Sequence, residues 1–318
     1  MLTVPEVAEL LRSFDNVLIL THIRPDGDTV GCAAALCAGL RQLGKTAYLL
    51  PNPGLTNTTT PYFVPYAAPA DFVPEKVVST DIATVNLFPE NAKAYMDRID
   101  LAIDHHPSFE RFGRANIVRS EAAACGELMY DILSELGPIT AEIALPLYVA
   151  VSTDTGCFVY NNTTANTHTV AAALMETGID FKTVNKVFFR TKTHKRMALE
   201  ADMLSNMEFF DRERVVFLYV PMSLMARLEA TESDAEELSS LGGQIEGTDC
   251  AVTFRELRPN VWKLSVRTGE RINATRVCAA LGGGGHAAAA GCTVEAPLAE
   301  VKCRILESIA ANAPDFEQ

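Results

Sequence analysis

Two patterns of apolar and polar positions alternate along the first half of the chain. Residues 16–21, an apolar run bounded by polar residues, predict a buried strand, and the Ala- and Leu-rich stretch 27–43 predicts a helix that ends at Gly44. Further elements are predicted in alternation, as strands at 46–50, 76–80 and 100–103 and helices near 89–97, 122–136 and 139–151. Six prolines between positions 51 and 74 predict an irregular loop. The alternation indicates an α/β fold, with a mostly parallel sheet flanked by helices.

The second half repeats this mixture on a smaller scale. A polar stretch predicts a connector helix over 191–210, so we expect one domain at 1–190 and a second, smaller α/β domain at 211–318. A length of 318 residues also exceeds what one hydrophobic core usually supports. The elements predicted for the second domain are strands at 215–220, 250–256 and 261–268, helical segments around 224–241, a Gly-rich turn at 282–285 and a closing helix near 298–311.

Composition and charge narrow the class of protein. Hydrophobic residues make up 48% and charged residues 21%, as in ordinary folded domains. The formal net charge of −13 disfavours binding of long DNA or RNA across the whole surface. Residues 251–281 nevertheless contain six Lys or Arg against two Glu, a local excess that would attract a small anion. The eight cysteines form no Cys-x-x-Cys pair and are expected to be reduced thiols.

The sequence contains no pattern typical of a membrane or secreted protein. Its first residues lack a cationic stretch followed by an apolar run, and its apolar runs are shorter than the ~20 residues that span a bilayer. We therefore expect a cytoplasmic protein without membrane contact. A homodimer is compatible with the sequence.

Acids and histidines follow the ends of predicted elements at four places. They are His22, Asp26 and Asp28 after the first strand, Asp81 after the strand at 76–80, the run Asp104-His105-His106 after the strand at 100–103, and Asp154 after the helix at 139–151. In open parallel sheets, ligands bind beyond the carboxyl ends of the strands, so these side chains are expected to converge. A mixed set of imidazoles and carboxylates suits two divalent ions that share a carboxylate, and imidazole ligation favours Mn²⁺ over Mg²⁺.

Each position also has an ordinary structural explanation. Asp28 and Asp81 could cap helices, Asp154 could cap a turn, and His22 could be a histidine at a strand end. The run of Asp, His and His at 104–106 is weak evidence by itself. Four such coincidences around one sheet are less expected than one site, so we favour the dinuclear metal site.

The order of these motifs resembles that of the DHH phosphoesterases. His-x-x-Pro-Asp-Gly-Asp at 22–28, the isolated Asp81, Asp-His-His at 104–106 and Asp-Thr-Gly at 154–156 occur in the family's order. The segment 282–291, with four glycines before His286, resembles the signature of the family's associated C-terminal domain, and 264–268 resembles the strand that carries its substrate arginine. The two-domain size is most similar to the branch of bifunctional oligoribonucleases and pAp phosphatases.

The resemblance implies a role for each motif residue. The implied metal ligands are His22 and Asp26 for one ion, Asp28, His105 and Asp154 for the other, and Asp81 as the bridge. Asp104 would orient a ligand, and His106 would contact the scissile phosphate. The residues implied to hold another part of the substrate are Arg267, Thr268, Gly283, Gly284, Gly285 and His286.

The implied activity is metal-dependent hydrolysis of phosphoesters. Two divalent ions, Mn²⁺ before Mg²⁺, would activate water, so no Ser or Cys nucleophile is needed. The expected substrates are short oligoribonucleotides or dinucleotides, cut to nucleoside monophosphates, and 3′-phosphoadenosine 5′-phosphate (pAp), cut to AMP. The alternatives are a phosphodiesterase for cyclic dinucleotides or pApA, a pyrophosphatase or polyphosphatase, and a non-catalytic nucleotide sensor. A dinucleotide-binding dehydrogenase is disfavoured, because acids in the first strand-to-helix turn would repel a pyrophosphate.

Overall fold

The chain divides into two compact units, Met1–Thr191 and Lys192–Gln318. A computed structural model describes residues 1–235, 238–313 and 316. Each unit has a sheet and hydrophobic clusters of its own. Among the described residues, no helix combines the length and the apolar character needed to cross a membrane.

The sheet of the first unit is parallel throughout. All of residues 1–191 are described, and they form five strands: β1 (Val17–Leu20), β2 (Ala47–Leu49), β3 (Lys76–Thr80), β4 (Leu101–Asp104) and β5 (Ala115–Val118). The strand order is β2-β1-β3-β4-β5, and every neighbouring pair is parallel. Strands β1 and β4 are buried along their whole length, as expected where helices cover both faces. The carboxyl ends of β1, β3 and β4 therefore lie side by side.

Helices cover this sheet, and two of them pack unusually closely. The helices are α1 (Val4–Ser13), α2 (Gly27–Gln42), α3 (Thr60–Phe63), α4 (Cys125–Leu136), α5 (Ala141–Asp154), α6 (Ala165–Glu176) and α7 (Phe181–Asn185). A Cβ on Gly27 would lie 2.3 Å from Thr153 Oγ1, and one on Gly31 would lie 2.3 Å from the carbonyl oxygen of Pro146. The two glycines thus allow α2 to touch α5, which brings the start of α2 next to the end of α5.

The proline-rich segment is more ordered than the sequence predicts. It contains α3 and the 3₁₀ turn Val64–Tyr66. At its start, the Asn52 side-chain amide donates to the Thr21 hydroxyl at 2.9 Å and to the carbonyl oxygen of His22 at 2.8 Å. The segment therefore braces the loop that leaves β1.

The second unit has a mixed sheet. In its described part, six strands are ordered β10-β11-β9-β8-β7-β6, with β7 and β8 parallel and the other pairs antiparallel. The strands are β6 (Glu208–Phe210), β7 (Val215–Val220), β8 (Cys250–Arg258), β9 (Val261–Thr268), β10 (Gly284–His286) and β11 (Ala289–Glu295). The helices are α8 (His194–Ser205), α9 (Met222–Arg227), α10 (Ala274–Ala279) and α11 (Leu298–Asn312). The predicted two-part α/β architecture is confirmed.

Several predicted elements need correction. The helix predicted over 191–210 is shorter, because it ends at Ser205 and Glu208–Phe210 form an edge strand. The predicted glycine turn continues as a strand, since Gly284–His286 pair with Ala289–Gly291. The region 224–241 contains the end of α9 and then isolated 3₁₀ turns, with 236 and 237 outside the described residues.

Candidate metal centre

The predicted ligands of the first unit meet where β1, β3 and β4 end. His22 follows β1, Asp81 follows β3, His105 and His106 follow β4, and Asp154 is the last residue of α5. Potential ligand atoms within 4.8 Å of one another form three sets: His22, Asp26 and Asp81; Asp28, His105 and Asp154; and Asp81, His105 and His106. Asp81 is shared between the first and third sets, and His105 between the second and third. The potential ligand atoms of the three sets therefore form one continuous row, which we call the donor row.

Asp26 and Asp28 have different structural roles. Asp26 is the N-cap of α2, and its Oδ1 accepts hydrogen bonds from the backbone N–H groups of Asp28 and Thr29. Asp28 points instead to the start of α4, where its oxygens accept from the N–H of Cys125 at 2.7 Å and of Gly126 at 3.0 Å. The cap function that the sequence allowed for Asp28 within its own helix therefore belongs to Asp26.

Cys32 adds a third donor to Asp28. Its thiol lies one turn further along α2 and donates to Asp28 Oδ1, with Sγ and oxygen 3.3 Å apart. Sequence reasoning missed this contact, although the spacing of four residues on a helix is a usable signal. The carboxylate of Asp28 is therefore held in one orientation from two helices.

Asp81 occupies a strained position at the end of β3. Its φ of 56° is in the left-handed region, which is uncommon for residues other than glycine. Its backbone N–H donates to the carbonyl oxygen of Ile103 at 2.8 Å, and the preceding Thr80 carbonyl accepts from Thr29 Oγ1 at 2.8 Å. These bonds fix Asp81 between α2 and β4. Its Oδ1 is buried without a hydrogen-bond partner among the described residues.

His105 has one ring nitrogen available as a ligand. Its Nδ1–H donates to the carbonyl oxygen of Ala122 at 3.1 Å, so Nε2 carries the lone pair. That nitrogen is 3.5 Å from Asp154 Oδ2, 3.6 Å from Asp81 Oδ1 and 3.7 Å from Asp28 Oδ2. Burial lowers the pKa of His105 despite the surrounding acids, which keeps the imidazole neutral.

Asp104 supports His106 and is not itself a member of the three sets of potential ligands. It is fully buried, and its Oδ1 accepts from His106 Nδ1 at 2.8 Å and from the His106 backbone N–H at 2.6 Å. Burial lowers the pKa of His106, but the hydrogen bond and charge of Asp104 outweigh it and raise that pKa above its usual value. His106 is therefore oriented by Nδ1 and biased towards the charged form.

The carboxylates of the centre repel one another. Burial first, and then the charge of Asp28, raises the pKa of Asp81 well above its usual range; burial and Asp154 do the same for Asp28. Burial and Asp26 raise the pKa of Asp154 to about 7. Buried acids, an orphaned Asp81 oxygen and a neutral imidazole fit hard or borderline divalent cations, which would supply the missing positive charge.

A cavity of about 260 Å³ opens over the donor row. Five of its lining residues are predicted site residues, namely His22, Asp26, Asp81, His106 and Asp154. The sequence analysis missed Ile23, Arg24 and Leu87, which also line it. Arg24 lies within the first motif, where its charge was a detectable signal, whereas Leu87 had none.

The predicted substrate residues of the second unit share one end of its sheet. Ala289 of β11 pairs with His286 of β10 on one side and with Arg267 of β9 on the other. Directly paired residues point to the same face of a sheet, so His286 and Arg267 flank Ala289. Thr268 Oγ1 donates to the carbonyl oxygen of Ala287 at 3.1 Å.

Close backbone packing explains two of the glycines in this group, since a Cβ on Gly285 would lie 2.6 Å from the carbonyl oxygen of Ala289 and one on Gly283 would be closer still to the backbone. A Cβ on Gly283 would lie 2.2 Å from the carbonyl oxygen of Gly291, whereas Gly284 faces open space. Gly285 has a φ of 149°, outside the range usual for other residues. Arg267 is held by hydrogen bonds from Nη2 to Ser239 Oγ at 3.0 Å and from Nη1 to the Val266 carbonyl oxygen at 3.2 Å.

Comparison with known proteins agrees with the motifs. Residues 16–151 match the N-terminal domain of the DHH family, and residues 213–313 match the DHHA1 domain. Over 308 residues the chain is 31% identical to the bifunctional oligoribonuclease and PAP phosphatase NrnA of Thermus thermophilus, covering 95% of this chain and 92% of that protein. The chain belongs to the DHH family. This DHH protein is a hydrolase that acts on phosphoester bonds, so the resemblance seen in the sequence is confirmed.

Solved structures share the fold of this DHH protein. An exopolyphosphatase-related protein from Bacteroides fragilis has a TM-score of 0.88 and 21% identity, covering 97% of this chain and 95% of that one. An exonuclease RecJ bound to manganese has a TM-score of 0.53 and 14% identity, covering 98% of this chain and 95% of that one.

The raised pKa of Asp154 predicts how metal-free stability depends on pH. The folded carboxyl binds its proton up to about pH 7 and the unfolded one only to its ordinary pKa, so the free energy of unfolding falls as pH rises between these values. In Asp154→Asn the amide does not titrate, so this pH-dependent decrease in the free energy of unfolding is absent. In excess EDTA, the melting temperature of the variant should increasingly exceed that of the wild type as pH rises from 5 to 7.5. A difference that shrinks with rising pH would contradict the electrostatic account.

Proposed function

We propose that the centre holds two divalent ions, with Mn²⁺ favoured over Mg²⁺. The ligands would be His22 and Asp26 for one ion, Asp28, His105 and Asp154 for the other, and Asp81 as the bridge between them. Two sets of potential ligand atoms carry this proposal: Asp81 belongs to the set of His22 and Asp26, and its Oδ1 is 3.6 Å from Nε2 of His105, a member of the set of Asp28 and Asp154. The manganese named for the RecJ neighbour agrees with a divalent ion at such a centre. When bound, two such ions lower the pKa of water and stabilise charge on phosphoryl oxygens.

Hydrogen bonds within the chain orient the two histidines that face the proposed phosphoester site. The Ala122 carbonyl fixes the tautomer of His105, so that Nε2 faces the carboxylates without rearrangement. Asp104 orients His106, whose Nε2–H would donate to a phosphoryl oxygen as negative charge develops there. His106 is thus the residue proposed to contact the scissile phosphate, and Asp104 is the residue that positions it.

We propose that the substrates are short oligoribonucleotides or dinucleotides, cut to nucleoside monophosphates, and pAp, cut to AMP. The relative from Thermus thermophilus is named for both activities and matches nearly the whole chain. The substrate group in the second unit would be Arg267, Thr268, Gly283, Gly284, Gly285 and His286. Arg267 suits a phosphate because its guanidinium can form two parallel hydrogen bonds. The net charge of −13 agrees with a small substrate rather than a long one.

A substrate panel tests this function. With Mn²⁺ present, a dinucleotide RNA and pAp should be hydrolysed faster than pyrophosphate or cyclic di-AMP. They should also be hydrolysed faster than an RNA of ~30 residues, because an acidic surface binds long RNA poorly. Asp28→Asn should lower turnover by ~100-fold or more. Replacing only the hydrogen-bond partner of a metal ligand typically lowers metal affinity or activity by about 10- to 100-fold, and Asp28 is proposed as a ligand itself. Asp97→Asn removes an exposed acid of the same unit and serves as the matched control.

The outcomes of this panel separate the alternatives. Preferred cleavage of cyclic di-AMP or pyrophosphate would replace the proposed substrates. Binding of nucleotides without turnover would indicate a sensor. Full hydrolysis in excess EDTA, or wild-type turnover by Asp28→Asn, would contradict the metal-dependent mechanism.

The second unit's contribution can be tested by comparing a large and a small substrate. Arg267→Ala should lower kcat/KM for the dinucleotide by about 10- to 100-fold, as expected for the loss of hydrogen bonds to a charged group. Bis-p-nitrophenyl phosphate is a phosphodiester without any nucleoside, so its hydrolysis should change little. Arg258→Ala, which removes an exposed arginine of the same sheet, is the control. Equal losses on both substrates would argue against a substrate-binding role for Arg267.

A further inference from the structure

One positively charged side chain in the lining of the cavity has no role in the proposed mechanism. Arg24 lines this cavity together with His106 and Asp154. It is the only Lys or Arg among the described residues of the lining, and it is exposed. None of the described carboxylates forms an ion pair with it, although Asp26 is only two residues away. A guanidinium in an acidic cavity without a carboxylate partner is available for a ligand.

With the proposed ions bound, the charge balance of the centre would favour an anion beside Arg24. Asp26, Asp28, Asp81 and Asp154 supply four carboxylates, which two divalent cations would balance. The guanidinium would then be left as net positive charge at the cavity, where it attracts a phosphate. A guanidinium also matches a phosphate geometrically, because its planar fork donates two parallel hydrogen bonds.

The loop that carries Arg24 is held in place on both sides. The Ile23 N–H donates to the carbonyl oxygen of Leu87 at 2.7 Å, and the carbonyl of His22 accepts from Asn52. A Cβ on Gly54 would lie 2.3 Å from the Ile23 carbonyl oxygen, so the proline-rich segment packs directly on this loop. Pro25 restricts the backbone of Arg24 to extended conformations. Arg24 therefore starts from a preorganised backbone, which reduces the ordering cost of binding.

The wall beside Arg24 is apolar. Ile23 is 40% exposed and Leu87 half-buried, and both line the same cavity. The 3₁₀ turn Val85–Leu87 and the proline-rich segment both contact the loop that carries Arg24, so these apolar side chains are held beside it.

From these observations we propose that Arg24 binds a phosphate of the substrate at the metal centre. This inference rests on the proposed phosphoesterase site and adds to it a phosphate-binding residue from the first unit. The guanidinium donates to non-bridging phosphate oxygens, in addition to the donation from His106. It holds the phosphate in place and takes no part in proton transfer.

The test compares Arg24→Gln, Arg24→Lys and the control Lys45→Gln in the full-length chain. Lys45 precedes β2, at the opposite end of the sheet, and its replacement removes the same charge. Calorimetry first measures Mn²⁺ affinity and then the affinity of the Mn²⁺-loaded protein for inorganic phosphate. Steady-state kinetics with pAp gives KM and kcat, and circular dichroism monitors the fold.

Arg24→Gln should bind phosphate ~10- to 100-fold more weakly and raise KM for pAp similarly, while Mn²⁺ affinity stays unchanged. Arg24→Lys should be intermediate, because an ammonium keeps the charge without the fork. Lys45→Gln should behave as wild type. Unchanged phosphate affinity in Arg24→Gln, or a parallel loss of Mn²⁺ affinity, would overturn the proposal.

Failure of this inference and failure of the proposed function are distinguishable. If the wild type hydrolyses no nucleotide but its phosphate affinity depends on Arg24, the substrate proposal is wrong and the Arg24 assignment holds. If nucleotides are hydrolysed and Arg24→Gln keeps wild-type phosphate affinity and KM, the substrate proposal holds and the Arg24 assignment is wrong.

Discussion

Repulsion among buried carboxylates is the physical constraint on which the first unit depends. Two like charges 4 Å apart repel by about 4 kcal/mol at an effective dielectric constant of 20. A hydrogen bond to a charged group returns about 1.5–3 kcal/mol, so the three donors around Asp28 can offset the repulsion from one neighbour but not also the cost of burying the charge. The raised pKa values of Asp28, Asp81 and Asp154 express this imbalance. Divalent cations would relieve this electrostatic imbalance. The centre therefore lowers the stability of the fold when no metal is bound, and its charge matches that of divalent cations.

The fold holds these charges together through backbone contacts rather than through the site itself. Parallel pairing of β1, β3 and β4 places their carboxyl ends side by side. Contact between α2 and α5 at Gly27 and Gly31 keeps Asp154 near the start of α2. The N–H groups of α4 hold Asp28 from the other side. Because helices and strands position the ligands, the site resists the rearrangement that would separate its charges.

The sequence predicts those parts of the structure that depend on local pattern. Buried apolar runs identified β1 and β3, and small and apolar residues identified α2 and α5, whose positions then placed the acids at one edge. Weakly patterned elements escaped prediction: β5 is an edge strand with only one buried residue, and the polar stretch 191–210 contains a helix followed by a strand of only three residues. Propensity cannot separate them, because pairing with β7 decides that 208–210 are extended.

The site was predicted as a set of residues but not as a network. Motif spacing identified the proposed ligands, yet the partners of Asp28 on α4 and the bracing of the Arg24 loop involve residues distant in sequence. Asn52 is an example: it lies in a stretch that looked irregular, and its role depends on the position of His22 in space. Tertiary contacts of this kind leave no periodic trace in a sequence.

The number of metal ions bound per chain tests the central claim most directly. Calorimetric titration of metal-free protein with Mn²⁺ should give two ions per chain for the wild type and for the control Asp97→Asn. Asp81→Asn removes the carboxylate proposed to bridge the two sets, so at least one of the two ions should be lost or bound ~100-fold more weakly. A single ion in the wild type, or two ions bound by Asp81→Asn with unchanged affinity, would contradict the shared dinuclear centre.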